Sequence, residues 1–285
     1  MTGTGTGVGK TVVSAAVAAL ARERGSSVGV VKVAQTGVGP KEPADLAEIS
    51  RLSGVNDVHE FARYPDPLAP ETAARRSGRP ALELGDVARR VHDLVASRDL
   101  VLVEGAGGLL VRFGDGGWTL ADLARLIRAE LLVVTEAGLG TLNTTALTLE
   151  VAAGRGLRLS GLVIGSWPAA PDLACRSNVR DLERLAGRPL GGALPTGAAT
   201  APDFLAVARH GLSPSYGGTF DPADFRTTTA DTAGAADAAA AADAAGAAAA
   251  ASPPSPPSPP SPPSPPSPPS PPSPHEKEPV NERHP

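Results

Sequence analysis

Gly3-Thr4-Gly5-Thr6-Gly7-Val8-Gly9-Lys10-Thr11 constrains this chain more than any other stretch of it. Alternating glycines let a backbone turn its N–H groups inward around an anion. Val12, Val13, Ala16, Val17 and Leu20 then recur at helical spacing, so the loop opens a helix whose positive end faces the same anion. Lys10 adds a point charge and Thr11 a hydroxyl suited to Mg²⁺. Such a loop holds phosphate, and it requires a sheet to feed it and a helix to follow it. The usual pattern leaves four residues between its first glycine and the Gly-Lys pair. Here five separate Gly3 from Gly9, a variant longer by one.

The rest of the chain supplies the expected frame. Val28–Val33, Leu100–Glu104, Leu131–Thr135 and Leu159–Ile164 are short and apolar nearly throughout, as suits strands buried on both faces of a parallel sheet. Helical patterns lie between and around them at about 10–24, 44–53, 83–97, 119–128, 141–155 and 172–186. The alternation predicts an α/β fold, a doubly wound and mostly parallel sheet with helices on both faces. Only Met1 and Thr2 precede the loop. The expectation is therefore either a start upstream of Met1 or a truncated first strand with a gap in mid-sheet.

Composition divides the chain in two. An alanine-rich run beyond Ala230 leads into Ser-Pro-Pro repeats from Ser252 to Pro274, which favour extended polyproline II and cannot build a core. The reading is a folded domain over 1–227 and a disordered, low-complexity tail over 228–285. The tail carries six acids and two bases, the whole net charge of −4, which leaves the 1–227 segment with 24 of each. A neutral body argues against nucleic-acid and membrane-surface partners. Cys175 is the sole cysteine, excluding an intrachain disulfide or a cysteine zinc site. No apolar run approaches a membrane span and no signal peptide is visible, so a soluble, cytoplasmic protein is expected. His59, His92, His210, His275 and His284 show no metal-ligand spacing.

Arginines number 22 against four lysines, so each lysine is conspicuous. Lys32 ends the second strand run, and in parallel sheets ligands bind beyond the carboxyl ends of strands, near the phosphate loop. Glu104 ends another, ahead of Gly105-Ala106-Gly107-Gly108. A carboxylate there can reach a metal held by the loop hydroxyl. Asp45 opens a helix, where a carboxylate also simply suits the helix dipole. Gly138-Leu139-Gly140-Thr141-Leu142-Asn143 is a second glycine-rich helix entrance, explained equally well by anion binding and by capping.

Together, the loop Thr2–Thr11, Lys32 through Gly37 and Val103-Glu104-Gly105-Ala106-Gly107-Gly108 resemble the dethiobiotin synthetases, with support from 161–165 and 192–195. The resemblance spans roughly 2–227. It implies a cyclo-ligase of the P-loop NTPase superfamily, acting in biotin biosynthesis. Its substrates would be 7,8-diaminononanoate, CO₂ and ATP with Mg²⁺; the steps would be a carbamate, a carbamic-phosphoric anhydride and ring closure, releasing ADP and phosphate. By the same resemblance Lys10 and Lys32 are catalytic. Thr11, Asp45 and Glu104 share Mg²⁺. Gly7, Val8, Gly9, Lys10, Thr11 and Val12 hold the nucleotide, together with Asp45, Glu104, Gly105, Ala106 and Gly107. Gly165, Ser166, Pro195, Thr196 and Gly197 lie toward its base. Thr6 and Thr36 touch the diamine or its carbamate. Leu142 and Asn143 reach the substrate of a neighbouring subunit in a homodimer.

Three departures stand out. Val33 replaces a common proline; Gly5 and Gly7 replace acidic residues of some relatives; Gly165 replaces an asparagine that reads adenine. The last predicts loose nucleotide choice, with CTP or another triphosphate competing. The competing reading is a partition-type nucleotide-switch ATPase, whose loop usually carries a further lysine that Gly3-Thr4-Gly5-Thr6 lacks. An inactive relative is the third.

Overall fold

The computed structural model describes residues 1–230. The tail expected from 228 therefore lies almost wholly outside the described residues. Among the described residues nine strands, all paired in parallel, alternate with helices. The strands are β1 Thr2–Gly3, β2 Val28–Lys32, β3 Gln35–Thr36, β4 Val58–Glu60, β5 Arg63–Tyr64, β6 Leu100–Glu104, β7 Leu131–Thr135, β8 Leu159–Trp167 and β9 Gly192–Pro195. The helices are α1 Lys10–Glu23, α2 Asp45–Ser53, α3 Pro70–Ser77, α4 Leu84–Val95, α5 Leu120–Leu126, α6 Thr141–Gly154, α7 Leu173–Ala186 and α8 Phe204–Gly211. A further helix, α9, covers 222–230. It runs past residue 227, and within it Phe225 packs edge-on against Trp167 and beside Phe220, with ring centroids 4.9 and 5.2 Å away.

The main strands run in the order β4-β2-β6 and β1-β7-β8-β9. Short as it is, β1 joins the two groups at their carboxyl ends. Thr2 and Gly3 sit opposite Val133 and Val134 of β7. On its other side the Met1 amine donates to the Val103 carbonyl at 2.8 Å, and Gly105 N–H donates to the Met1 carbonyl. β6 and β7 do not pair with each other directly. Leu100–Val103, expected to be buried on both faces, are only half-buried, whereas β2 and β7 are buried throughout.

One apolar core packs α1, α2 and α8 against one sheet face, through Val13, Leu20, Ile49, Phe204 and Leu212 on Val30, Val134, Val163 and Leu194. The other gathers Tyr64, Val87, Phe113, Leu123, Val179 and Leu182 over the opposite face around Val33, Val133, Leu162 and Ile164. Helices on both faces of a parallel sheet are the doubly wound arrangement. Alanines at 15, 16, 18, 19 and 21 are buried in α1, and their small size lets that helix lie between the sheet and α2. Among the described residues no helix is long and apolar enough to cross a membrane.

Candidate active site

The site lies where that topology sends it, beyond the carboxyl ends of β1, β2 and β6. Gly7 and Gly9 adopt positive φ of 80° and 95°, the left-handed turns that curl the loop before α1. Lys10 begins α1, folds back and donates from Nζ to the Gly5 carbonyl at 2.8 Å. Strand register then places Lys32 opposite Glu104, because β2 and β6 pair in parallel from Val28↔Leu100 onward.

The Lys32 ammonium sits 2.8 Å from Glu104 Oε1, 2.5 Å from Asp45 Oδ2 and 3.0 Å from the Gly105 carbonyl. Thr11 Oγ1 donates to Glu104 Oε1 at 3.2 Å, and Ser14 Oγ donates to Oε2 at 2.5 Å. Burial of Glu104 is complete. Burial alone would raise its pKa, but Lys32 and the Ser14 hydroxyl outweigh it and hold the carboxyl below the usual range. For Lys32, burial alone would lower the pKa; Glu104 and Asp45 raise it instead, so the ammonium stays charged. Lys10 differs: burial, the largest cause, and the Lys32 charge leave its pKa lowered despite Glu104 and Asp45.

Lys10, Thr11, Lys32, Asp45 and Glu104 line a cleft of about 770 Å³ that also takes in Thr6, Gly7, Gly9, Gln35, Thr36, Ala106 and Gly107. Pro67, Leu68, Ala69, Pro70 and Val111 form an apolar wall to the same space. Other expected residues stand apart from it. Val8 is buried beneath the loop, Val12 is half-buried against the core, and Gly105 is buried with its carbonyl on Lys32. Gly165 lies under the loop, where an added Cβ would stand 2.0 Å from the Val8 carbonyl oxygen. Ser166 and Thr196 share a hydroxyl hydrogen bond of 2.7 Å at the exposed ends of β8 and β9, beside exposed Pro195 and Gly197. Leu142 and Asn143 open α6 outside the cleft, where Asn178 braces the Ala137 and Gly138 carbonyls.

A family model described as an AAA domain matches residues 1–202. Over 228 residues the chain is 64% identical to the ATP-dependent dethiobiotin synthetase BioD of Frankia casuarinae, covering 79% of this chain and 96% of that one. The protein of the same name from Parafrankia sp. is 62% identical over the same shares. That from Streptomyces coelicolor is 57% identical, covering 79% of this chain and 95% of its own length. The chain belongs to the ATP-dependent dethiobiotin synthetase family. Among solved structures, a ParA family ATPase from Chlorobium tepidum aligns over 81% of this chain and 96% of its own at 18% identity and a TM-score of 0.44, a likeness too slight to bear on function.

For a dethiobiotin synthetase, two parts of the site were not read from the sequence: one lies behind Glu104 and one in the cleft wall. Ser14 lies one turn beyond Thr11, so both hydroxyls face Glu104; its signal was a serine inside an otherwise apolar helix face. Residues 67–70 carry no chemistry of their own, and nothing local announces that the chain returns there. The donors meeting around Lys32 are a hydroxyl and two carboxylates. Hard oxygens of this kind fit Mg²⁺ rather than a softer metal.

Proposed function

We propose that the protein makes dethiobiotin from 7,8-diaminononanoate, CO₂ and ATP, as a cytoplasmic enzyme whose catalytic part is residues 1–227. The observation that carries this is the buried Lys32, charged between Glu104 and Asp45 and facing Lys10 and Thr11 across one cleft. Loop N–H groups and Lys10 hold the nucleotide phosphates. The carbamate formed on one substrate amine presents its oxygen to the γ-phosphorus, and ADP leaves. The second amine then attacks the carbamoyl carbon and expels phosphate. Negative charge gathers on the carbamate and phosphoryl oxygens throughout, so a fixed ammonium at Lys32 stabilises both steps without rearrangement. Thr6 and Thr36 contact the diamine or its carbamate, while Pro67–Pro70 and Val111 give its alkyl chain a dry surface. Thr11, Asp45 and Glu104 would hold Mg²⁺, which neutralises phosphate charge when bound.

A homodimer completes the reading. Leu139 just ahead of α6, Leu147 within it and Leu173 at the start of the neighbouring α7 are 91%, 56% and 59% exposed, large apolar groups on the elements around Leu142 and Asn143. Burying them against a second copy brings the α6 entrance to the neighbour's substrate. Gly165 is taken up by its contact with the phosphate loop and sends no side chain toward the nucleotide base, in keeping with loose choice between ATP and CTP.

The test is phosphate release from ATP and from CTP with Mg²⁺ and bicarbonate, with and without the diamine, with products identified by mass. Diamine-dependent release matched one-to-one by dethiobiotin is the expected result. Release that ignores the diamine would overturn it in favour of a nucleotide switch, and a strong preference for ATP would overturn the base-pocket reading alone.

A further inference from the structure

Four threonine hydroxyls meet around Thr135, the last residue of β7. Thr141 and Thr145 of α6 each place Oγ1 2.7 Å from that of Thr135, and Thr4 of the phosphate loop places its own at 3.4 Å. Thr135, Thr141 and Thr145 are buried. None of the four takes part in the chemistry at Lys32. Thr144 and Thr148 of α6 turn their hydroxyls back onto carbonyls of their own helix, the ordinary use of a helical threonine. Thr141 and Thr145 reach across to the strand instead.

A hydroxyl has one hydrogen, and that fixes the direction of every bond in the cluster. Thr141 donates to the Glu136 carbonyl at 2.7 Å, so toward Thr135 it accepts. Thr135 spends its hydrogen there, and its two lone pairs receive Thr145 and Thr4. Its hydroxyl is then saturated, with one bond given and two received. At one end the loop rests on β7 by backbone as well, since Thr4 N–H donates to the Val134 carbonyl at 2.9 Å. At the other, Thr141 holds the Glu136 carbonyl while Asn178 holds those of Ala137 and Gly138, fixing the segment that leads to Leu142 and Asn143.

We propose that Thr135 is a positioning residue, whose hydroxyl ties the phosphate loop to the entrance of α6 so that nucleotide on the loop is felt at Leu142 and Asn143. A buried cluster with every hydroxyl used cannot shift at one member without leaving a polar group poorly paired, so a displacement of the loop is carried to the helix entrance. The catalytic consequence rests on the reading that this entrance meets the diamine of a second subunit. Nucleotide bound to one protomer then favours diamine bound beside its partner, and by reciprocity the diamine favours the nucleotide.

The test is amide hydrogen exchange across residues 136–145 of the full chain, with and without Mg²⁺ and the non-hydrolysable ATP analogue AMP-PNP at a concentration shown by titration to saturate each variant. In the wild type, exchange there is expected to slow about fivefold with nucleotide. Thr135→Val should abolish the slowing, and Thr135→Ser, which keeps the hydroxyl, should retain it. Thr4→Val, at a half-buried position, should abolish it too and decides the matter if Thr135→Val does not fold. Thr145→Val removes a bond of the cluster but leaves the path from Thr4 through Thr135 to Thr141, so the slowing should persist even as Tm falls. In steady state at saturating ATP, Thr135→Val should raise the KM for the diamine several-fold with kcat within about twofold of wild type. Exchange that ignores nucleotide in the wild type, slowing that survives in Thr135→Val or Thr4→Val, or equal loss in Thr145→Val would overturn the tie. An unchanged diamine KM in Thr135→Val would overturn its catalytic consequence. Exchange reads the tie whatever the reaction is, whereas a wild type that releases phosphate without regard to the diamine would overturn the dethiobiotin reading alone.

Discussion

Gly9 and Gly165 pack backbone against backbone: a Cβ on Gly9 would stand 2.6 Å from the Gly165 carbonyl oxygen. The approach seats the phosphate loop directly on the end of β8. A methyl at position 165 would also stand 2.6 Å from Val134 Cγ1, so it has no free direction. Gly165→Ala must therefore push the loop off β8. Nucleotide affinity is expected to fall about tenfold or more, since small misplacements of phosphate ligands are costly. Equilibrium titration with ATP checks this, and unchanged affinity would show that the loop does not depend on the contact.

Lys32→Gln is expected to lower turnover by orders of magnitude, because the charge set against the carbamate and phosphoryl oxygens is gone. Stability should fall as well, because Glu104 is fully buried and would lose its main compensating charge. Breaking a buried pair in this way costs about 3–5 kcal/mol. The double variant Lys32→Met, Glu104→Gln should recover stability without recovering turnover. Denaturant unfolding and steady-state rates on both variants separate the two roles.

The loop, Lys32 and Glu104 were legible because each is tied to a strong local pattern, a glycine run or the end of an apolar β-branched strand. The strands β2, β6, β7 and β8 were legible for the same reason, since burial on both faces leaves no other use for such runs. Where the pattern is set by distant packing, it was silent. Short β3 and β5 pair only with each other, and α3 carries two arginines in eight residues, so neither announces itself. Gly165 read as a lost contact to the base, yet its place is fixed by the backbone of a loop 156 positions earlier, at Gly9. Leu100–Val103 read as doubly buried, and the structure leaves them half-buried.

Ser14→Ala tests whether Glu104 is held in place or merely present. The hydroxyl bonds Oε2 at 2.5 Å while Lys32 and Thr11 hold Oε1. Without it Oε2 is unpaired in a buried site, costing about 1–3 kcal/mol. If Glu104 shares Mg²⁺ with Thr11, the Mg²⁺ concentration for half-maximal rate should rise several-fold, with the KM for the diamine nearly unchanged. Ser14→Thr, which keeps the hydroxyl, should restore the Mg²⁺ response. A fall in stability with no change in Mg²⁺ dependence would leave Ser14 a packing residue.

The Met1 amine gives the fold a pH dependence near neutrality. Burial lowers its pKa from 8.0 to about 6, only partly offset by the Glu104 charge. Between those values the unfolded chain binds a proton that the folded chain does not, so stability rises with pH across that window. The contribution is fully present above about pH 8, declines as pH falls to 6, and amounts at most to about 3 kcal/mol at 1.36 kcal/mol per unit. Neither member of the buried pair titrates there, since Glu104 is held below the carboxylate range and Lys32 above that of an ordinary lysine. Acetylating the amine keeps an N–H for the Val103 carbonyl but removes the charge, so the acetylated chain should lose this slope. Urea unfolding at pH 6, 7 and 8 on both forms measures the difference. Equal slopes would mean that the amine leaves its pocket to ionise in water, and that β1 is held to β6 by the Met1 carbonyl and Gly105 alone.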